Sequence, residues 1–437
     1  MDFITSNAIT ISGLLLLVAY IFIALEKIPK MTIALIGASI TIILGLVSQT
    51  KVVGDIINPH YFANFIDFNV IILLVSMMII VLITTKSGVF NWVANELLKR
   101  TKGEPVKILI TLGLFTAIVS SFLDNVTTVI LIMPITFAIA KQLGINPMPY
   151  LITEIIASNV GGTATLIGDP PNIIIGSAGG LSFLDFIKEL APIVAIILII
   201  ILALLAAVFK GQLQTSAEKM AKVALIDNSK TITDRTHMIR SITILGLVII
   251  GFMLHDITHI ETCIVAMLGA SFLLIFEKPT EILEQVEWNT IFFFVGLFII
   301  IGGLEASGGI KLMAQWLINV TNGNQTATAM TILWGSGIIS GIIDNIPYTA
   351  TMAPMLVEIQ KTLGQDYTYP LWWALSLGAC LGGNMTIIGA AANVIVSENA
   401  AKEGYPISFL GFMKYGVITV FISLILSSIY IYYRFLG

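Results

Sequence analysis

The residues of this chain best suited to chemistry are two Asp-Asn pairs set in apolar surroundings. Asp124 and Asn125 stand in FLDNVTTVILIMP (122–134), Asp344 and Asn345 in IIDNIPYTATMAP (342–354), and in both stretches a proline follows the aspartate ten residues on. A carboxylate at membrane depth costs at least about 2.5–3.5 kcal/mol on insertion scales, which makes it a functional candidate by default. Asp and Asn also cap helices that restart, a role that needs no ligand. The duplication argues for more. Two aspartates at the tips of paired re-entrant segments meet near the midplane and can hold a cation or a shared proton. Asn125, Thr127 and Asn345 would add neutral oxygen ligands, and helix N-termini beside them would draw in an anionic or oxygen-rich substrate.

A second polar set lies in SNVGGTATLIGDPPN (158–172). Ser158, Asn159, Thr163 and Thr165 carry oxygens of the kind hard cations take. Gly161 and Gly162 would let backbone carbonyls turn toward a ligand, Pro170 and Pro171 stop a helix, and Asp169 and Asn172 complete the group. Its counterpart LGGNMTIIGAAAN (381–393) offers Gly383, Asn384, Thr386 and Asn393, with Cys380 in place of Asn159 and Ala390 in place of Asp169. The two half-sites are therefore unequal, and the first should bind more strongly. Glu154, about one turn ahead of the first break, is a subsidiary candidate.

The elements that position these residues are helices in a bilayer. Of the 437 residues, 57% are hydrophobic and 11% charged, and the mean hydropathy is +0.97, against about 25% charged residues in soluble domains. Apolar runs near the roughly 20 residues that span a bilayer occur at 9–24, 31–48, 69–85, 190–208, 239–254, 260–276, 289–304 and 409–433. Whole turns are apolar on every side, unlike barrel strands. The net charge of −4 comes without a basic cluster, so no nucleic acid is expected. The partners are the lipid bilayer and a small ion. Cys263 and Cys380 lie in apolar segments, too far apart in sequence to suggest a disulfide framework. The amino terminus lacks a signal-peptide pattern, so the first helix should remain as an anchor. His60, His237, His255 and His259 show no metal spacing, and no nucleotide-binding loop appears. No cofactor is expected, and the energy should come from a gradient of H+ or Na+.

The chain is written twice. Residues 68–88 align without gaps to 288–308, Asp124 with Asp344 and Pro134 with Pro354, all 220 apart. Residues 161–175 match 382–396 at 221, and Gly-Ala-Ser at 37–39 returns at 269–271. The expected organisation is an anchor helix (1–30), a first repeat (31–208), a connector with a linking helix (209–259) and a second repeat (260–437). Each repeat should hold a re-entrant hairpin, 107–140 or 327–360, and a broken helix, 150–177 or 370–400. Lys99, Arg100, Lys102 and Lys107, with the connector's Lys210, Lys219, Lys222, Lys230, Arg235 and Arg240, mark one side as cytoplasmic. The matching loop of the second half has Lys311 alone, so the halves should be inverted, with both termini extracytoplasmic. Inverted repeats with breaks at matching positions are the pattern of secondary transporters. An all-α polytopic membrane protein follows, located in the cytoplasmic membrane and not an enzyme.

SSFLDNVTTVILIMPIT (120–136) and SNVGGTATLIGDPPNIII (158–175) resemble the two signature stretches of the ion transporter superfamily. The branch is the one holding arsenical-pump membrane proteins, NhaD-type sodium/proton antiporters and the melanosomal P protein. The resemblance covers the chain after its first helix. It implies a scaffold, two hairpins and a transport region moving in an elevator-like way, a homodimer and, for an arsenical-pump-like member, a soluble ATPase subunit. In carboxylate-transporting relatives Ser-Asn-Thr motifs clamp sodium. By that resemblance Ser158, Asn159 and Thr163, with Asp124, would hold Na+, while only Asn384 and Thr386 remain of the second clamp. The expected function is exchange of a small inorganic ion, by arsenite or antimonite efflux or by Na+/H+ antiport. Carboxylate uptake is the alternative, for which a basic residue near the breaks is expected and none is seen in the sequence. An intramembrane aspartyl protease and a passive channel are remoter readings.

Overall fold

The computed structural model describes residues 4, 6–25, 27–48, 62–224, 228, 231–232 and 234–437, and His60 and Lys230 lie outside them. Among the described residues every regular element is helical. The chain opens with α1 (Ala8–Leu25) and α2 (Lys30–Ile43), then α3 (Phe68–Lys86) and α4 (Val89–Arg100). A first hairpin follows as α5 (Pro105–Ser120) and α6 (Asn125–Leu143), then a first broken helix as α7 (Met148–Gly162) and α8 (Pro170–Gly179). The short α9 (Phe183–Glu189) leads into α10 (Ala191–Phe209), and the connector carries α11 (Ala217–Ala224). The linking helix α12 (Arg235–Met253) precedes α13 (Thr262–Leu274), α14 (Trp288–Ala306) and α15 (Gly309–Val320). The second hairpin is α16 (Gln325–Ile343) and α17 (Asn345–Leu363), the second broken helix α18 (Gln365–Gly382) and α19 (Ala391–Lys402), and α20 (Phe409–Ile431) closes the chain.

Among the described residues, eight helices are long and apolar enough to cross a bilayer. Leu14, Leu17, Ile21 and Phe22 on α1 and Ile196, Ile199 and Ile200 on α10 are exposed. In an apolar solvent such faces need no partner, and the protein is a multi-pass integral membrane protein.

The backbone carries the repeat as plainly as the sequence does. Left-handed φ values recur 220 residues apart at Gly88 and Gly308 (78° and 87°), Lys102 and Asn322 (55° and 51°), and Gly103 and Gly323 (75° and 66°). These residues end one helix and begin the next at matching corners.

Contacts at the helix ends give the relative direction of the halves. His237, at the start of α12, donates through Nε2 to the carbonyl of Ile83 near the end of α3 (2.8 Å). Its Nδ1 lies 3.1 Å from the Glu277 carboxylate, eleven residues before α14 begins. The end of α3 and the start of α14 therefore share a face, and these matched helices run in opposite directions. Both ends of the first hairpin also meet the connector on that face. Gly103 abuts the Met220 backbone, and Thr215 donates to the Leu143 carbonyl (2.6 Å). In the second hairpin Gln325 donates to the carbonyls of Asp366 and Tyr367, just beyond its far end (3.1 and 3.0 Å). Each hairpin thus returns to the side from which it started.

Packing between the halves is reciprocal. Helix α2 packs on α14 as α13 packs on α3, α8 on α17 as α19 on α6, and α18 on α8 as α19 on α7. Exchange of this kind, element i on j′ and i′ on j, is what a two-fold relation generates. Two groups result. Helices α1, α2, α3, α12, α13 and α14 form one, and the hairpins and broken helices with α10 and α20 form the other, touching it mainly through α14 on α17, α3 on α8 and α1 on α16.

Candidate functional site

At each hairpin tip an aspartate caps the returning helix, Asp344 directly after α16 and Asp124 after a short turn that follows α5. Asp124 has ordinary extended backbone (φ −63°), and its carboxylate accepts from the backbone N–H of Thr127 (2.8 Å) and from the Thr127 hydroxyl (2.6 Å). Asp344 has φ 111°, a conformation non-glycine residues avoid at a cost of about 1–3 kcal/mol. The residue matching Thr127 is Pro347, which offers neither an N–H nor a hydroxyl. The Asp344 carboxylate instead accepts from the Ile346 N–H (3.0 Å) and from the Lys30 ammonium at the start of α2 (2.5 Å). Asp344 is fully buried, whereas Asp124 is half-buried.

Between the tips the two broken helices cross, and their polar side chains satisfy one another. Asn125 donates to Asn159 (3.2 Å), and Asn159 donates to Asn384 and Asn393 (2.8 and 2.9 Å). Asn345 reaches from the second tip to the Asp169 carboxylate (3.2 Å). At the breaks, Asn172 donates to the carbonyls of Gly162, Thr163 and Thr165 (3.4, 3.1 and 2.9 Å) and accepts from Ser376 (2.6 Å). Asn393 does the same for Gly383 and Thr386 (2.7 and 2.9 Å). The carbonyls freed where a helix stops are thus tied off by an asparagine from the next helix. Thr165 donates to the Ser121 carbonyl and Thr386 to that of Gly341 (2.6 Å), while Thr163 bonds back within its own helix. Ser158 lies 3.1 Å from Ser120 and donates to the Asn125 carbonyl (3.3 Å).

The glycines at the first break serve close approach. A Cβ on Gly161 would fall 2.1 Å from the Ala117 carbonyl oxygen, and one on Gly162 would fall 2.4 Å from Asn125 Oδ1. These carbonyls and side chains face protein, where sequence reading had them turned toward a ligand.

A cavity of about 220 Å³ opens beside this network. Of the residues singled out in the sequence, Asp124, Asn125, Asp169, Asp344 and Asn345 line it. Thr127, Ser158, Asn159, Gly161, Gly162, Thr163, Thr165, Asn172, Gly383, Asn384, Thr386 and Asn393 do not. The four residues expected to share a sodium ion are accordingly divided, with Asp124 at the cavity and Ser158, Asn159 and Thr163 in the packed layer beneath. Glu154 lies apart, accepting from Thr136. Four polar lining residues are not among those singled out in the sequence: Lys30, Glu287, Asn289 and Thr290. Glu287 was within reach, because it matches Asp67 at a distance of 220, one acid before each of α3 and α14. The expectation that no basic residue stands near the breaks is corrected by Lys30, which the fold brings 314 residues across the sequence to Asp344.

A second cavity, of about 280 Å³, is lined by Asn69, Val70 and Leu73 of α3, by Ser177 of α8, and by Glu261 and Thr262 at the start of α13. Asn69, Val70 and Leu73 match Asn289, Thr290 and Phe293, which line the first cavity. The two cavities thus occupy partly equivalent places on opposite faces.

Among solved structures, the chain resembles that of the Alcanivorax borkumensis YdaH transporter, reported to have an unusual topology. The TM-score is 0.57 over 85% of each chain at 13% identity, a likeness of fold. An uncharacterized transporter of Mycobacterium tuberculosis is 42% identical over 420 residues, covering 95% of this chain and 96% of that one. The 46 kDa membrane protein of Mycobacterium leprae is 41% identical over 423 residues, covering 96% and 97%. The P protein of Homo sapiens is 30% identical over 488 residues, covering 93% of this chain and 58% of the longer relative. The model of the CitMHS citrate transporter family matches residues 20–378, and the chain belongs to that family of membrane transporters.

Proposed function

We propose that the protein is a secondary active transporter that exchanges a small inorganic cation against protons or sodium. The observation that supports this reading is the charge of the cavity at the hairpin tips. Four carboxylates line it, those of Asp124, Asp169, Asp344 and Glu287, against the single ammonium of Lys30. Six helix N-termini also reach it, those of α2, α6, α8, α14, α17 and α19, each equivalent to about half a positive charge. With Lys30 these ends offset about four negative charges, so the cavity with all four carboxylates ionised is close to neutral. Its ionisable side chains are still four acids to one base, so a proton and a monovalent cation can replace one another on a carboxylate, whereas a free tricarboxylate finds Lys30 as its one side-chain counter-charge among the described residues.

The family's description as citrate transporters supports a second reading, carboxylate uptake, and Lys30 is the basic residue that reading calls for. Lys30 is, however, already held by Asp344, so a carboxylate would have to enter with its charge compensated. A protease reading loses support from the geometry. Asp124 is turned to Thr127 and Asp344 to Lys30, and among the described residues no hydrogen bond links the two carboxylates. The face carrying Lys99, Arg100, Lys102 and the connector is read as cytoplasmic, which puts both termini outside. A homodimer in the cytoplasmic membrane is the proposed assembly.

Purified protein in proteoliposomes tests the function. A Na+ gradient imposed at uniform pH should acidify or alkalinise the lumen, and a pH gradient should move 22Na+. Citrate uptake with no response to either gradient alone would support the second reading instead.

A further inference from the structure

The two hairpin tips follow one pattern 220 residues apart yet stand in different electrostatic states, and named substitutions account for the difference. At the first tip Thr127 serves Asp124 from within its own helix turn. At the second tip Pro347 removes both local donors, and the free carboxylate oxygen of Asp344 is filled by the Lys30 ammonium from α2. The neighbouring helix α1 holds the same tip, with the Tyr20 hydroxyl donating to the Pro347 carbonyl (2.5 Å) and bonded to Thr351. In the register of the Gly-Ala-Ser repeat, the residue matching Lys30 is Thr262, which has no charge and lines the other cavity. No ammonium is therefore supplied to Asp124 from the equivalent corner.

We propose that Lys30 is a tethered cation that occupies the second half-site in this conformation, leaving the Asp124 tip as the one place where a mobile monovalent cation binds. The inference rests on the exchange reading and deepens it, by giving one transported cation where duplicated carboxylates suggest two. Lys30 belongs to the helix group built on α14 and Asp344 to the hairpin group, so the pair also bridges the two bodies. The second tip can leave this position only by exchanging its ammonium for another neutralising charge. Lys30 acts through Asp344 and is a positioning residue.

Lys30→Ala tests this by chemical rescue. The purified variant should melt several degrees below wild type, and propylammonium chloride should restore at least half of the loss. 1-Propanol, or tetramethylammonium chloride at equal ionic strength, should not. Lys30→Ala/Asp344→Asn, which removes both charges, should melt closer to wild type and ignore the amine. If Lys30→Ala yields no folded protein, recovery of folded protein with the double variant supports the pairing, and failure of both overturns it. In proteoliposomes Lys30→Arg should keep coupled flux. Lys30→Ala should change its cation dependence, with a Hill coefficient moving from one toward two as Asp344 takes a mobile ion. Wild-type flux and Hill coefficient in Lys30→Ala, or equal rescue by propanol, would overturn the proposal. Amine rescue in a protein whose wild type shows no cation-driven flux would overturn the exchange reading alone.

Discussion

Asn172→Ala separates a scaffolding role from a ligand role at the first break. Asn172 is fully buried, and its amide ties off the carbonyls of Thr165, Thr163 and Gly162 at 2.9, 3.1 and 3.4 Å while its oxygen accepts from Ser376. Truncation leaves these groups without their partner in a space closed to water. At about 1–3 kcal/mol for each buried polar group left unsatisfied, the two shorter carbonyl bonds alone amount to about 2–6 kcal/mol. That is a large share of a typical margin of about 5–15 kcal/mol. The melting temperature of the detergent-solubilised variant, followed by the loss of the monodisperse size-exclusion peak, should fall by several degrees, and Asn393→Ala should behave alike. If Asn172 were instead an ion ligand, the truncation would weaken the response to Na+ and leave the ion-free protein unchanged. A variant melting within about one degree of wild type, where 1 kcal/mol moves a domain of 150–250 residues by about 2–4 °C, would refute the tied-off break.

Gly161→Ala should lower the yield of monodisperse protein sharply, since its Cβ meets the Ala117 backbone at 2.1 Å. Gly13→Ala, with nothing within 4 Å, should express normally. Single cysteines at Lys102 and Asn322, in a background lacking Cys263 and Cys380, should be labelled by an impermeant maleimide from opposite sides of the membrane. Labelling of both in intact cells would contradict the inverted halves. Asp169→Asn should alter the ion dependence of transport without lowering the melting temperature, because Asp169 lines the cavity while Ala390 at the matched position shows that the break needs no acid. An unchanged ion profile would leave Asp169 with only its bond to Asn345.

Much of the fold was legible because the bilayer makes hydropathy and length nearly sufficient. The run 69–85 is α3 (Phe68–Lys86), and 190–208 is α10 (Ala191–Phe209). Both hairpins break at or just before their Asp-Asn pairs, where the acid caps the returning helix. The repeat was legible for a related reason, since Gly88 with Gly308 and Gly103 with Gly323 mark corners that need left-handed backbone. The site was legible only in part. Asp124 and Asp344 announce themselves by being charged in apolar surroundings, but composition cannot tell an amide that faces a cavity from one that faces a carbonyl. Asn159, Asn172 and Asn393 proved to be of the second kind, as did the glycines whose missing side chains admit a neighbouring backbone. Lys30 stayed hidden because it stands just before an apolar helix, where a lysine is ordinarily an interface anchor. Only the exchange of helices between halves carries α2 to the second hairpin.

The central claim is that Asp124 carries the coupling charge and does more than cap α6. Asn is about as good a cap as Asp, so Asp124→Asn keeps the helix start and removes only the charge. The direct measurement is gradient-driven 22Na+ and proton flux in proteoliposomes holding equal amounts of wild-type and Asp124→Asn protein with matched melting temperatures. Coupled flux lost or strongly reduced in the variant is the predicted result, and near-normal coupled flux would reduce the aspartate to a cap and contradict the account.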